Sequence, residues 1–394
     1  MSKQTTILQI VPEIGVGGAE QAVIDVAYAL VKRNVRAIVV ANGGHRLPEF
    51  LRTGAEHIQM DVDTKNPFKV WQNSLRLRDI IKKHKVDIVH ARSRAPAWSA
   101  WQAVKNTRTA FMTTCHAPYK ISNEMKRKYN AIMTKGERVI AISEFVANYL
   151  RENYEFLQQN IRVVPRGIAL EKYHPAAVTP ERLAKLQREW RVPDGQRIIL
   201  CPGRLTKWKG QAVMLEAFSK LKEKDIWLVM VGSDQGRSEY RQALESQINM
   251  FELQERVRII DHCDDMPAAY VLATAVCVPS IEPEGFGRVA VEAQAMGRIC
   301  IATGHGAAVE TVIDNKTGFL VPPNDGEALA KKIEHVLALS PEKLDAIVYE
   351  GMNNAVQKFG REQMLEKTIN VYNELLPAEK HIPIEEQARK TKAA

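Results

Sequence analysis

Cysteine is scarce in this chain of 394 residues, and its few copies are scattered. Cys115, Cys201, Cys263, Cys277 and Cys300 form no CxxC pair. That excludes the usual zinc-ligand spacings and a disulfide framework, so reduced thiols are expected. Long hydrophobic runs are also missing. The longest mostly apolar stretch, AAYVLATAVCVPSI over 268–281, is too short to cross a bilayer as a helix. The opening MSKQTTILQIVPEIG has a short apolar run that ends in Pro and Glu, so a secretory leader is not expected. DHCDD (261–265) reads as a loop leading to a helix start at Pro267, so no metal site is expected there. A nicotinamide-dehydrogenase fingerprint is incomplete as well. In GVGGAE (15–20) the third glycine position holds Glu20, and the second strand ends in ANGG without an acid for a ribose.

Negative charge is short in one half only. Residues 1–170 hold 26 Lys and Arg against 14 Asp and Glu, and the remainder holds 29 against 32. The net charge of +9 therefore sits in the first half. Such asymmetry points to an anionic partner on one side, with solubility as the plainer reading. Nucleic acid is disfavoured, because the basic half lacks the aromatic-basic alternation of known modules.

What is present is a regular alternation of short apolar runs and helical segments. TTILQIVPEI, VRAIVVANG, VDIVHARS, AFMTTCHAP and RVIAIS read as strands, and RIILCPGRL, IWLVMVGS, VRIID, AVCVPS, RICIAT and GFLVPP follow. This pattern predicts α/β architecture: parallel sheets built from β-α-β units. It weakens around 165–195, rich in Pro and charge, so two doubly wound domains joined near 170–195 are expected.

Ligands of such sheets bind beyond the carboxyl ends of strands. Gly17 and Gly18 follow the first strand and precede a helix, where backbone amides can approach an anion. His116 leaves a later strand in CHAPY. His90, Arg92 and Arg94 lie in HARSR, where the arginines can receive an anionic acceptor. In CPGRLTKWKG (201–210), Arg204 and Lys209 share a loop with Gly203 and Gly210, and two such cations suit a diphosphate. A tight turn or an exposed basic loop is the alternative at each.

The most informative stretch is EPEGFGRVAVEAQAMG (282–297). Glu284 precedes the helix-forming run RVAVEAQAM, Glu292 lies about two turns inside it, and Gly297 marks its stop. The amides of Phe286, Gly287 and Arg288 would crown the helix and face an anion. Carboxylates repel phosphate, so the flanking acids suit sugar hydroxyls, which donate to them. A ligand with hydroxyls at both ends and phosphate between is a nucleotide sugar.

EPEGFGRVAVE resembles the E-x7-E motif of the retaining GT-B glycosyltransferases of family 4. GVGGAE resembles their amino-terminal glycine loop, VVPRGIALEKYHP their P-N-G-V-D stretch, CPGRLTKWKG their G-R-(x)4-K element and TGFLVPPND their T-G-x-L-V-P-P-G-D. Arg166 replaces the usual Asn, Ala169 the usual Asp, and Gly306–Ala307 the usual paired glycines, while Glu310 is retained. The resemblance implies two facing Rossmann-like domains with an interdomain cleft. Residues 1–170 would bind acceptor and 171–378 the donor, a last helix at about 361–378 would pack back on the first domain, and 379–394 would be a polar tail. It implies that Arg204 and Lys209 hold the donor diphosphate, with Gly203 in the same loop. Glu284 and the amides of Gly285, Phe286 and Gly287 would contact the transferred sugar. Glu292 would bind ribose, Glu310 would belong to the donor site, His116 would contact the donor sugar, and Gly17 and Gly18 the donor phosphate and acceptor. It implies no cofactor and no metal.

HARSRAPAWSAW with YKISNEMKRKYNAIMTKGERVIAIS resembles lipopolysaccharide-core mannosyltransferases. That implies GDP-mannose in preference to UDP-sugars, an anionic glycolipid acceptor of the Kdo-lipid A type, and a cytoplasmic protein peripheral at the inner membrane. Two basic amphipathic stretches fit an anionic lipid surface. One has Trp71 and Leu75 with Lys82, Lys83 and Lys85; the other has Met125, Tyr129 and Ile132 with Lys126, Arg127 and Lys128. A UDP-sugar transferase, a nucleotide-sugar epimerase of the same fold and a non-catalytic sugar-nucleotide sensor remain open. The oligomeric state is not specified by these motifs.

Overall fold

Runs such as TILQI and IWLVMV carry apolar side chains on both faces, the signature of parallel strands covered by helices on each side. They become the buried centres of two sheets. The computed structural model describes residues 4–15, 17–154 and 159–384. Its contacts divide the chain into Met1–Pro165 with Glu362–Ala394, and Arg166–Arg361.

The first unit contains β1 (Thr6–Ile10), β2 (Arg36–Ala41), β3 (Glu56–Gln59), β4 (Ile88–Ala91), β5 (Ala110–Cys115), β6 (Arg138–Ala141) and β7 (Ile161–Val163). All pair in parallel in the order β3-β2-β1-β4-β5-β6-β7. The second unit contains β8 (Arg197–Pro202), β9 (Ile226–Val231), β10 (Val257–Ile260), β11 (Ala275–Val278), β12 (Ile299–Thr303) and β13 (Phe319–Val321). Its sheet is also parallel, in the order β10-β9-β8-β11-β12-β13. Both are Rossmann-like. Strand order reverses between β1 and β4 in one and between β8 and β11 in the other, so each has a switch point where loops part and leave a crevice. The short strands β3 and β7 escape a reading by apolar runs, because an edge strand needs no continuous hydrophobic stretch.

The stretch 170–195, near which the two domains are expected to join, is not without structure of its own. It belongs to the second unit and contains the helix Pro180–Trp190. Leu186, Trp190 and Val192 enter that unit's core beside Tyr270. Apolar residues at 183, 186 and 190 form one narrow stripe on a helix otherwise charged, which dilutes the signal in composition. Nor is 379–384 a free tail. Ile382 is buried in the first unit's core, Lys380 pairs with Asp87 at 2.5 Å, and the Lys380 carbonyl accepts from Thr5 Oγ1. Residues 385–394 lie outside the described residues. The helix Arg361–Asn373 adds Met364, Leu365, Ile369 and Tyr372 to the core around Ile7 and Leu30.

Candidate active site

The β8 and β11 ends bring together the two most charged loops read from the sequence. After β8 the chain runs through Gly203 and Arg204 into a short 3-10 turn, Lys207–Lys209, and then Gly210. Gly210 has φ +73 and packs directly on the Pro279 carbonyl, where a Cβ has no room. The Ile281 amide donates to the Trp208 carbonyl at 2.8 Å. These contacts pin the 204–210 loop to the 279–284 loop. Lys209 Nζ consequently reaches Glu284 Oε1 at 2.8 Å, with both side chains mostly buried. Ser280 Oγ donates to the same oxygen at 2.5 Å. Trp208 collects the cations: its ring centroid lies 4.5 Å from Lys209 Nζ and 6.0 Å from the Arg204 guanidinium, which is exposed.

A third loop braces the second. The Ala307 amide donates to the Glu284 carbonyl at 3.0 Å, and His305 Nε2 and Thr303 Oγ1 both bond the Ser280 carbonyl. Gly306, at φ +60, would place a Cβ 2.8 Å from the Glu284 amide nitrogen and carbonyl oxygen, so glycine is required there. Ala307 has ordinary right-handed helical backbone and needs no glycine, which accounts for the departure from the paired glycines. Glu310 stands in the first turn of the short helix Ala308–Thr311.

Gly287 is the N-cap of the helix Arg288–Ala295, so the N-terminus of that helix directly follows the Glu284 loop. Phe286 is buried edge-on against Phe359 and anchors the turn beside Gly285. Glu292, two turns on, is buried. Its carboxylate accepts from Tyr270 Oη at 2.7 Å and pairs with Arg288 Nε at 2.9 Å. Burial, with the Glu292 charge second, pushes the Tyr270 hydroxyl well above its ordinary pKa; Tyr173 beside it shifts the same way.

In the first unit Gly17 caps and Gly18 begins the helix Gly18–Lys32, with the Glu20 carboxylate folded back toward Gly17. His116 directly follows β5 and is half-buried. His90 and Arg92 correct the sequence reading. His90 is fully buried, with Nδ1 on Tyr372 Oη at 2.8 Å and Nε2 on Thr114 Oγ1 at 2.7 Å. Arg92 is buried too and binds Gln9 Oε1. Neither presents a group to an acceptor. Desolvation, followed by the Arg92 and His116 charges, holds His90 well below its ordinary pKa, so it is a neutral core histidine. Arg94 is half-exposed, bonds Asn130 Oδ1 at 2.9 Å and stacks on Tyr119.

Comparison with known proteins gives this arrangement a family. Residues 16–172 match Glycosyltransferase Family 4, and residues 184–353 match Glycosyl transferases group 1. A solved glycosyltransferase from Rickettsia africae is 39% identical, with a TM-score of 0.89 over 95% of this chain and 99% of that one. The chain belongs to the GT-B glycosyltransferases. Anabaena HepE, solved with UDP and glucose, shares the fold of this glycosyltransferase at 22% identity and a TM-score of 0.83, over 94% of this chain and 100% of HepE. The D-inositol 3-phosphate glycosyltransferase of Salinispora arenicola is 25% identical, over 74% of this chain and 69% of that protein.

Several residues around this candidate site are not legible in the sequence motifs. Ser280, His305 and Trp208 surround the Glu284–Lys209 pair, and Tyr270 and Tyr173 surround Glu292. Their only signal was position at strand ends, as for Ser280 and His305, or none, as for the tyrosines. Among the described residues, no group of His, Cys, Asp and Glu is placed to hold a metal ion, and no helix is long and apolar enough to cross a membrane. All five cysteines are free thiols, and burial pushes Cys115 and Cys201 up to about 12.

Proposed function

We propose that this glycosyltransferase moves a hexosyl group, mannose from GDP-mannose, onto an anionic lipid-linked glycan of the lipopolysaccharide-core type. The observation that carries the reading is the Lys209–Glu284 pair at the β8/β11 switch point, with exposed Arg204 beside it and a helix N-terminus behind. A diphosphate fits the two cations and the positive end of the helix. Lys209 then shares its charge between the diphosphate and Glu284, which is left to accept from sugar hydroxyls. As the bond from the anomeric carbon to phosphate breaks, charge grows on the leaving oxygen, and Arg204 and Lys209 stabilise it. The acceptor hydroxyl bonds to that carbon from the same face, and its proton passes to the departing phosphate oxygen, which retains configuration. Neither transfer step requires a metal. His116, Gly17 and Gly18 keep the donor-side roles that the family resemblance gives them, and Glu292 keeps the ribose.

The membrane side of the proposal rests on the helix Pro67–His84. Its buried side carries Val70, Leu77 and Ile81, while Phe68, Trp71 and Leu75 stand exposed along the opposite side among Lys69, Arg76, Lys82 and Lys83. An exposed aromatic stripe flanked by cations suits the boundary of an anionic bilayer. The second basic stretch contributes less than its sequence implies. Tyr129 stacks on Trp98 and Ile132 is buried, which leaves Met125 outward beside Lys126, Arg127 and Lys128.

Calorimetric titration with GDP-mannose, UDP-glucose and UDP-N-acetylglucosamine tests the donor. Selective binding of GDP-mannose supports the mannosyl reading. Preference for a UDP-sugar retains the glycosyl transfer and discards mannose. Conversion of the donor sugar without any acceptor points instead to an epimerase.

A further inference from the structure

The second unit has another concavity, at the opposite end of its central strands. Arg197 opens β8, Thr274 directly precedes β11 and Ile299 opens β12, and these amino-terminal strand ends floor a cavity of about 410 Å³. That lies within the size range of small-molecule sites, roughly 300–1,000 Å³. Its walls are Leu272, Leu337, Leu339, Leu344 and Val348. The candidate active site leaves the carboxyl ends of the same strands, so the two are separate.

One cation faces this apolar wall without a counter-charge. Arg298 follows the helix Arg288–Ala295, where the amides of Gly297 and Arg298 donate to the carbonyls of Gln294 and Ala293 at 3.0 and 2.9 Å. This is the doubly bonded helix stop in which the second residue beyond the end usually supplies an apolar contact. Here that position holds arginine. The Arg298 Nε is buried and has no hydrogen-bond partner among the described residues, and no carboxylate lies within ion-pair distance of its guanidinium. Burial lowers its pKa, with no acidic group acting in the other direction. The helix end offers partial negative charge, but a buried N–H without an acceptor remains costly. Arg197, the other cation of the lining, is already taken by Glu223 and by Asp225 at 2.9 Å.

We infer that this cavity is a second ligand site, built for an amphiphilic monocarboxylate whose head pairs with Arg298 and whose apolar body lies on the leucine wall. A planar guanidinium binds a carboxylate through two parallel hydrogen bonds. A single free positive charge balances one negative charge, and Asp345 on the lining disfavours a second. The inference is independent of donor and acceptor identity.

Calorimetric titration of the full chain with 4-phenylbutyrate tests it, with the uncharged 4-phenylbutanamide and inorganic phosphate as controls. One-site binding of phenylbutyrate is expected, at a Kd below about 1 mM. It should weaken at least about tenfold in Arg298→Met, which removes the head contact, and in Leu344→Trp, which fills the mouth. The amide and phosphate should give no saturable heat. Thermal melting of each variant confirms its fold, and the tryptophan variant decides the matter if the methionine variant is misfolded. No binding of phenylbutyrate, affinity unchanged in a folded variant, or equal binding of phosphate overturns the inference.

Discussion

At the β1/β4 switch point the cation Arg92 is 4% exposed and fixed to Gln9, and His90 beside it has both ring nitrogens bonded. At the β8/β11 switch point Arg204 is exposed, and Lys209 holds Glu284 through one contact that a ligand can share. The topology is the same and the residue types are similar, yet one set is locked into a core and the other stays adjustable. The difference lies in what covers the strand ends. In the first unit Tyr372, from the helix Arg361–Asn373, descends on His90 and closes the network from above. In the second, loops pin one another by their backbones and leave the charged tips together. A cation at a strand end is thus a ligand group only if no other segment has already claimed it.

The largest effect expected from breaking this contrast is at Glu284. Glu284→Gln should lower transfer by roughly 100-fold or more while circular dichroism stays unchanged, because the amide no longer pairs with Lys209 or accepts hydroxyls with full charge. Initial rates measure this, and a rate within a few-fold of the parent protein removes Glu284 from the chemistry. Lys209→Met should be comparably slow, and the double variant should cost much less than the product of the single losses, since the pair acts as a unit.

Next in size is Gly306→Ala. Its Cβ meets the Glu284 backbone at positive φ, so a loss of about 2–4 kcal/mol, with slower transfer, is expected in denaturant melts. Unaltered stability would mean that the 303–307 loop shifts freely and does not brace Glu284.

In the first unit Tyr372→Phe should cost about 1–3 kcal/mol by leaving His90 Nδ1 without its partner. A Tm equal to that of the parent contradicts the network. The same histidine predicts a pH dependence. Its folded pKa lies well below the ordinary value of 6.5, so its contribution is full above that value. As pH falls below 6.5 the unfolded chain takes up a proton that the folded protein refuses, and stability drops by up to about 1.4 kcal/mol per pH unit. His90→Gln should make that acid decline shallower, and an identical slope would assign it to other groups.

The smallest effect concerns the exposed stripe. Trp71→Ser with Phe68→Ser should reduce co-sedimentation with phosphatidylglycerol vesicles several-fold at unchanged Tm, from about 1.5–3 kcal/mol per lost side chain at most. Equal sedimentation removes this helix from any lipid contact.

The contrast also separates what the sequence makes legible from what it hides. Buried central strands announce themselves by apolar runs, and the Glu284 loop is visible because its glycines, its strand and its helix are consecutive. Gly297 ends its helix where composition placed the stop, at φ +65. The fate of His90 was hidden because its partner Tyr372 lies 282 residues away. Local pattern carries no trace of that contact. The Lys209–Glu284 pair was half legible. Each residue was identified alone, but their meeting depends on Gly210 packing against Pro279, a contact between separate loops. The helix Pro180–Trp190 is hard to read from composition because only a thin stripe of it is apolar.

The return of the helix Arg361–Asn373 to the first sheet makes the first core depend on residues synthesised after the whole second unit. Amino-terminal domains ordinarily fold first as the chain emerges from the ribosome. Here the second unit is one continuous stretch, Arg166–Arg361, whereas the first waits for Leu365, Ile369 and Tyr372 to complete its core. The half made earlier is finished later. Until translation passes those residues, the nascent first unit keeps an apolar face and the His90 ring uncovered, and it is at that stage that a chaperone would have something to hold.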